Sequence, residues 1–431
     1  MYSQSIAFLK DRGLEEYPKA VVALAGARDY YQLPLALHEG GLLQAMVTDM
    51  YWPADRKWFP IGALLPQELI AARRCPGLNG ARVRVPSLAL CASAMMKAVG
   101  STMLNRYKDR VLSSEARRIA VSNNSPLFCY SYYASEAFKQ SELEHRFLFQ
   151  LHPHPESVRS LLLEEADRVP RAKYSLLTEH ELSLPDKEFG ELASEPHLAN
   201  GWVVASSFTA STLSEHGVPR DRIHVVPYGV DHNVFAPRVS APAEQQTFNI
   251  IFVGSLVQRK GLSYLLDAVR LIRSRSIRVV LCGRGVIDRD LLDQYSDLNL
   301  EINTGLRRPE LVRKIHEADV FVLPSLAEGF GHVILEIMSC GVPVITTPNT
   351  CAPDVMTDGV DGFIVPIRDP EAIAEKICWG IENREQLAAL GEAAALQVRS
   401  FTWDGFKEGI RIAYVKMVDS VWSNGDPAPG L

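Results

Sequence analysis

The sequence predicts an α/β protein made of two Rossmann-like domains that face each other across a cleft. Three observations carry this expectation. Short apolar, β-prone runs alternate with stretches of helical spacing, as strands covered on both faces and their crossover helices do. The alternation starts twice, at residues 20–25 and again at 248–253. Between the two starts lies a polar stretch, residues 238–247 (RVSAPAEQQT), of linker composition.

At 431 residues the chain is long enough for two or three domains, each with a core of its own. Hydrophobic residues at 47% and charged residues at 22% are ordinary for a globular protein, and no apolar run reaches the roughly 18 residues of a membrane span. The first twenty residues mix acids among few apolar side chains and lack a signal-peptide core. Seven cysteines without a CxxC pair point to reduced thiols and a cytoplasmic setting. The net charge of −6 hides a basic band: residues 51–118 hold 12 Lys and Arg against 4 Asp and Glu. Solvated helix faces explain such a band, and so does a surface that meets anionic lipid or an anionic acceptor. No nucleic-acid partner is expected.

Along the chain, residues 20–25 form a first buried strand closed by Gly26, and residues 30–43 carry near-helical apolar spacing. Residues 88–111 suit one helix whose stripe, Met95, Met96, Val99, Met103 and Leu104, has the character of core. Residues 127–133 and 147–151 suit further strands, the second leading into His152-Pro153-His154-Pro155. A His-x-His pair is a zinc fragment only with a third ligand, and none is suitably spaced, so no metal is expected. A histidine at a strand's C-terminal end is better placed to meet a ligand in the cleft.

The second domain opens with a strand at 248–253, then the loop Gly254-Ser255-Leu256-Val257-Gln258-Arg259-Lys260-Gly261 and a helix. Adjacent cations beside free helix amides suit a diphosphate. Asp288-Arg289-Asp290 is formally a DxD motif but sits where aspartates cap helices. The densest unit spans residues 318–347. There the strand 320–323 runs into Glu328-Gly329-Phe330-Gly331, a helix follows over 332–340, and a strand resumes at 344. Such a unit sets a helix N-terminus beside a parallel strand's end, a place that binds anions. Its two carboxylates, Glu328 and Glu336, each suit a sugar diol.

This stretch resembles the Glu-x7-Glu signature of retaining glycosyltransferases, family 4, roughly PSxxEGFGxxxxEAMxxGxPVI, with Ile337 the noticeable departure. Residues 201–235 and the 254–261 loop are similar to the same family, Lys260 taking its lysine position and Ser255 standing where it has arginine. The resemblance implies the GT-B arrangement, with residues 1–238 on the acceptor side and residues 239–402 binding the donor. Residues 403–431 would form a helix crossing back to the first domain, and a tail. It also implies transfer of a hexose-type sugar, with retention, from a nucleoside diphosphate sugar to a glycan or lipid-linked acceptor hydroxyl, without metal or other cofactor. The donor would be held by Gly254, Ser255, Arg259, Lys260, Glu328, Gly329, Phe330, Gly331, His332, Val333 and Glu336. Catalytic roles fall to Glu328, Lys260 and His152, with His154 as the runner-up histidine. Arg259 is the substitute for the cation absent at Ser255. A nucleotide-sugar epimerase and a non-catalytic nucleotide-sugar-binding protein are the rival readings. Peripheral contact with the inner membrane face through residues 51–118 is the expectation for the basic band.

Overall fold

The structure is a computed structural model that describes residues 13–52, 70–99, 102–139, 142–238, 247–285 and 288–422. The first group of strands comprises β1 (Ala20–Leu24), β2 (Leu43–Thr48), β3 (Val83–Arg84), β4 (Leu127–Tyr130), β5 (Arg146–Gln150), β6 (Gly201–Val204) and β7 (Ile223–Val225). They form one parallel sheet in the order β3-β2-β1-β4-β5-β6-β7. The second group comprises β8 (Phe248–Val253), β9 (Ile277–Gly283), β10 (Leu300–Thr304), β11 (Val320–Leu323), β12 (Val344–Thr346) and β13 (Phe363–Ile364). These form a parallel sheet ordered β10-β9-β8-β11-β12-β13. Every residue of β1, β4, β8 and β11 is buried, which is why these strands, Asn249 of β8 apart, are apolar rather than alternating.

The helices used below are α1 (Gln32–Glu39), α2 (Ser87–Val99), α3 (Thr102–Ser122), α4 (Pro155–Arg168), α5 (Ser207–Glu215), α6 (Leu262–Ile272), α7 (Arg308–His316), α8 (His332–Ser339) and α9 (Trp403–Trp422). In each sheet the strand order reverses between two neighbours, β1 and β4 in the first and β8 and β11 in the second. Ligands of open α/β sheets bind in the crevice outside the strand ends at such a reversal. The loops after β8 and β11 are therefore brought side by side. Helix α9 packs on α1 and on β6, and its Phe406 and Tyr414 are fully buried in an apolar cluster shared with Phe149, Tyr228 and Phe330.

Three expectations are corrected. The described residues of the single helix expected over 88–111 form two, α2 as far as Val99 and α3 from Thr102, packed on each other. Two members of the methionine stripe are not core, since Met95 and Met103 are 55% and 76% exposed. Helix α1 begins at Gln32 rather than at Tyr30, because Asp29, Tyr30 and Tyr31 have φ of 47°, 52° and 63°. The linker positions 239–246, residues 53–69 of the basic band and the tail 423–431 lie outside the described residues.

Candidate active site

The second domain's half of the site is built by two loops pressed together at the β8–β11 reversal. Gly254 leaves β8 with φ 157°, and its amide donates to the Cys282 carbonyl at 3.0 Å. Gly261, at φ 73°, ends the loop and starts α6. A Cβ there would lie 2.0 Å from the Pro324 carbonyl oxygen, so only glycine permits the approach. The Arg259 carbonyl then accepts from the Leu326 amide at 2.9 Å.

This clamp gathers charge around one carboxylate oxygen. The Lys260 ammonium donates to Glu328 Oε1, the Ser325 hydroxyl donates to the same atom at 2.6 Å, and Arg259 Nη1 stands 3.7 Å from it. Burial disfavours the charge on Glu328, but Lys260 and then Arg259 outweigh it and hold the carboxyl down at about 2. Burial also pulls the Lys260 ammonium below its ordinary value, against the attraction of Glu328. Arg259 has a second partner, since its Nε pairs at 2.9 Å with Glu179 of the first domain. Ser255 is exposed on the loop and takes no part in this cluster.

Gly331, with φ 89°, opens α8. Phe330 is buried with its ring edge on Tyr228, and the His332 ring stacks on Tyr228 at 4.3 Å between centroids. Burial draws His332 down to about 4. Val333 is half-buried on the same turn. Glu336, one turn further on, is half-buried, and among the described residues no hydrogen bond reaches its carboxylate. Burial lifts Glu336 to about 7, opposed by Arg308. Gly329 is one of the points where the domains touch. Its carbonyl accepts from Ser206 Oγ at 2.7 Å and Thr209 Oγ1 at 3.1 Å, and a Cβ on it would sit 1.8 Å from the Leu151 carbonyl oxygen.

The first domain's half is a cavity of about 460 Å³ outside the ends of β1, β4 and β5. His152 lines it, set edge-on to Tyr132 at 5.3 Å, and burial takes its ring down to about 4, so it is neutral at neutral pH. Tyr132 is held in a left-handed conformation, φ 82°, with its amide on Glu195 and its hydroxyl on Glu181. Of the second-domain residues expected at the donor, Arg259 alone lines this cavity, beside Ala327. His154 does not line it. Its ring stacks on His216 at 3.9 Å instead, behind the strand ends.

Sequence reasoning missed several groups. Asp29 sits in the strained turn after β1, where burial raises it to about 6, opposed by the nearby Tyr130 and Tyr228 hydroxyls. Glu179 and Glu181 gave no sequence signal, and the positive φ at Asp29 is invisible without coordinates. Asp288, expected as a helix cap, instead accepts from the Ser175 amide of the first domain at 2.9 Å. Much of the basic band is paired: Arg106 with Glu188, Lys108 with Asp109, Arg117 with Glu142 and Arg118 with Glu115.

The loops after β8 and β11 and the helix at Gly331 all lie in one matched region. Residues 247–383 match the glycosyl transferases group 1 family. Over 263 residues the chain is 28% identical to a D-inositol 3-phosphate glycosyltransferase of Arthrobacter sp. (strain FB24), covering 57% of this chain and 59% of that one. The chain spans about half the length of the curated relatives it matches. Among solved structures, the sucrose-phosphate synthase of Thermosynechococcus elongatus superposes with a TM-score of 0.61 at 17% identity, covering 95% of this chain and 100% of that one. Anabaena HepE in complex with UDP-glucose superposes with a TM-score of 0.54 at 15% identity, covering 94% and 100%. At these identities the structural likeness establishes the shared fold, GT-B, around the glycosyl transferases group 1 region.

Proposed function

We propose that the protein is a retaining glycosyltransferase that moves a sugar from a nucleoside diphosphate sugar to an acceptor hydroxyl, in glycan or glycolipid biosynthesis. The observation that carries this reading is the convergence of Lys260, Arg259 and Ser325 on Glu328 beside Gly331, at the sheet's reversal. A departing diphosphate builds negative charge, and pre-oriented cations in a water-poor site stabilise it most effectively. Lys260 and Arg259 take that role, shifting from Glu328 towards the phosphates, with the α8 amides adding to them. Glu328, held ionised, accepts from hydroxyls of the transferred sugar, and Glu336 takes the ribose diol. His152, neutral, offers a hydrogen bond to the sugar rather than a charge. The UDP-glucose complex of HepE and the family match of residues 247–383 support a nucleotide-sugar donor.

The test is incubation with a panel of nucleoside diphosphate sugars, with and without polyol and lipid-linked acceptors. Acceptor-dependent release of nucleotide supports transfer. Isomerised sugar in the absence of acceptor would identify an epimerase instead, and binding without either product would leave only a binding protein.

One observation favours an acceptor at a membrane surface. Leu88, Met95, Met103 and Tyr107 are exposed on the α2–α3 pair, among the arginines of the basic band. Apolar side chains with neighbouring cations suit an anionic bilayer face. Among the described residues no helix is long and apolar enough to cross a membrane, so contact through this band would be peripheral.

A further inference from the structure

We infer that His154, Glu156 and His216 form a binding site for a divalent transition-metal ion, with Zn²⁺ the best chemical match. The three residues come from two helices that the sequence separates by about sixty positions. His154 caps α4, and its Nδ1 accepts from the Glu156 amide at 3.3 Å. The other ring nitrogen, Nε2, is buried on a residue only 1% exposed and has no well-formed hydrogen bond among the described residues, although the Ala193 backbone stands beside the ring. A buried nitrogen left unsatisfied calls for an explanation, and ion binding is one of the recognised ones.

His216, at the C-terminal end of α5, supplies the second imidazole. Its ring lies nearly parallel to that of His154, and its Nδ1 is 3.3 Å from Glu156 Oε2. The ligand atoms offered by the three residues lie within 4.8 Å of one another. Two imidazoles and a carboxylate are a set that zinc accepts at about 2.0–2.2 Å, with water in the fourth position. Binding requires the two rings to turn out of their parallel stack until an in-plane lone pair of each points at the same ion. Ser157 Oγ, 2.9 Å from His216 Nε2, is an outer-shell partner that orients that ring. His216 and Glu156 are partly open to solvent, which provides a path for entry.

The site would staple the two first-domain helices that grip the second domain. From α4, Glu165 accepts from Gln258, Tyr264 and Arg368. At the start of α5, Ser206 and Thr209 hold Gly329, and the Ser207 amide donates to Asp354 at 2.8 Å. A metal at their junction fixes one grip relative to the other.

The experiment uses the full chain, freed of metal by chelator dialysis and titrated calorimetrically with ZnCl₂ alone. The expected result is saturable binding of one ion per chain, accompanied by a rise in melting temperature. His216→Ala and Glu156→Gln, both at partly exposed positions, should weaken binding by at least ~10-fold and abolish the rise, while nucleoside diphosphate binding persists. Co²⁺ added alone to the unaltered chain should give the intense visible bands of a four-coordinate nitrogen–oxygen site, a readout that needs no variant. Absence of saturable binding, Co²⁺ spectra of the hydrated ion, or an affinity in both variants unchanged from that of the unaltered chain would overturn the assignment.

Discussion

Glu328 and Glu336 lie eight positions apart on one loop and helix, yet their environments push them in opposite directions. Lys260 and Arg259 hold Glu328 down at about 2 despite its burial, whereas burial lifts Glu336, against the opposing charge of Arg308, to about 7. Their roles should separate accordingly. A hydrogen bond to a charged group contributes roughly 1.5–3 kcal/mol, or about 10- to 150-fold in affinity. Glu336→Ala should therefore weaken binding of plain nucleoside diphosphate by that factor. Glu328→Ala should spare plain nucleotide and impair use of the sugar nucleotide; equal losses of plain-nucleotide binding in both variants, measured by calorimetry, would contradict this division. The shift of Glu336 also sets a pH dependence. Because its folded value is raised, its contribution to stability is full below its ordinary value of 4.5 and is lost as pH rises through about 7. Diol binding needs the ionised form, so nucleotide affinity should move the other way, rising about ten-fold between pH 6 and pH 8. Glu336→Gln should flatten that slope, and an unchanged slope in the variant would assign it to another group. Arg259→Ala should lower turnover nearly as much as Lys260→Ala, since both cations address the same oxygen; a near-silent Arg259→Ala would show that one suffices.

At the scale of elements, the glycine loops set how closely the pieces approach. Gly329 meets the carbonyl of Leu151 where β5 ends, with backbone on both sides and no flexible side chain to give way. Gly329→Ala should therefore displace one domain from the other rather than unfold either. The expected outcome is a larger radius of gyration in X-ray scattering and reduced turnover, with far-ultraviolet circular dichroism preserved. Unchanged scattering and activity would show that the loop, and not the domain contact, absorbs the methyl group. The strained turn at Asp29–Tyr31 belongs to the same scale. Non-glycine residues with positive φ cluster where surrounding structure over-determines them. Here Arg308 Nη2 donates to the Tyr30 hydroxyl at 2.8 Å, tying the turn after β1 to the start of α7 in the other domain.

For the whole molecule, the deepest tie between the domains is Glu165. It is fully buried and accepts from Gln258 Nε2, Tyr264 OH and Arg368 Nε, each at 2.8 Å. Removing one partner of a buried ion pair typically costs about 3–5 kcal/mol, because the other is left uncompensated. Arg368 also pairs with the half-exposed Glu164, which moderates the loss in this case. Glu165→Ala should thus lower the urea midpoint and split calorimetric unfolding into two transitions, one per domain. A single transition at the original midpoint would mean that the shared apolar cluster around Tyr228, Phe330 and Phe406 suffices to couple them. The α2–α3 face bears on the molecule's surroundings. It should sediment with anionic vesicles at low salt and be released as salt screens the attraction; indifference to vesicles at low salt would make the acceptor a soluble one.

The sequence by itself determined the two βα successions and the loops that matter. Strands 248–253 and 320–323 and the helix beginning at His332 were legible because apolar periodicity and turn chemistry depend on chain neighbours. The pairing of Lys260 with Glu328 was half legible, since both loops carried ligand-type residues but nothing stated that they touch. Only the tertiary structure decided that Arg259 also answers to Glu179, that Gly329 is spent on the domain contact, and that Asp288 bonds Ser175 rather than capping its helix. It also decided that His152 faces the cavity while His154 turns to Glu156 and His216. These outcomes join residues tens to hundreds of positions apart. Each depends on how crossover helices and then whole domains dock, a geometry that no local pattern encodes.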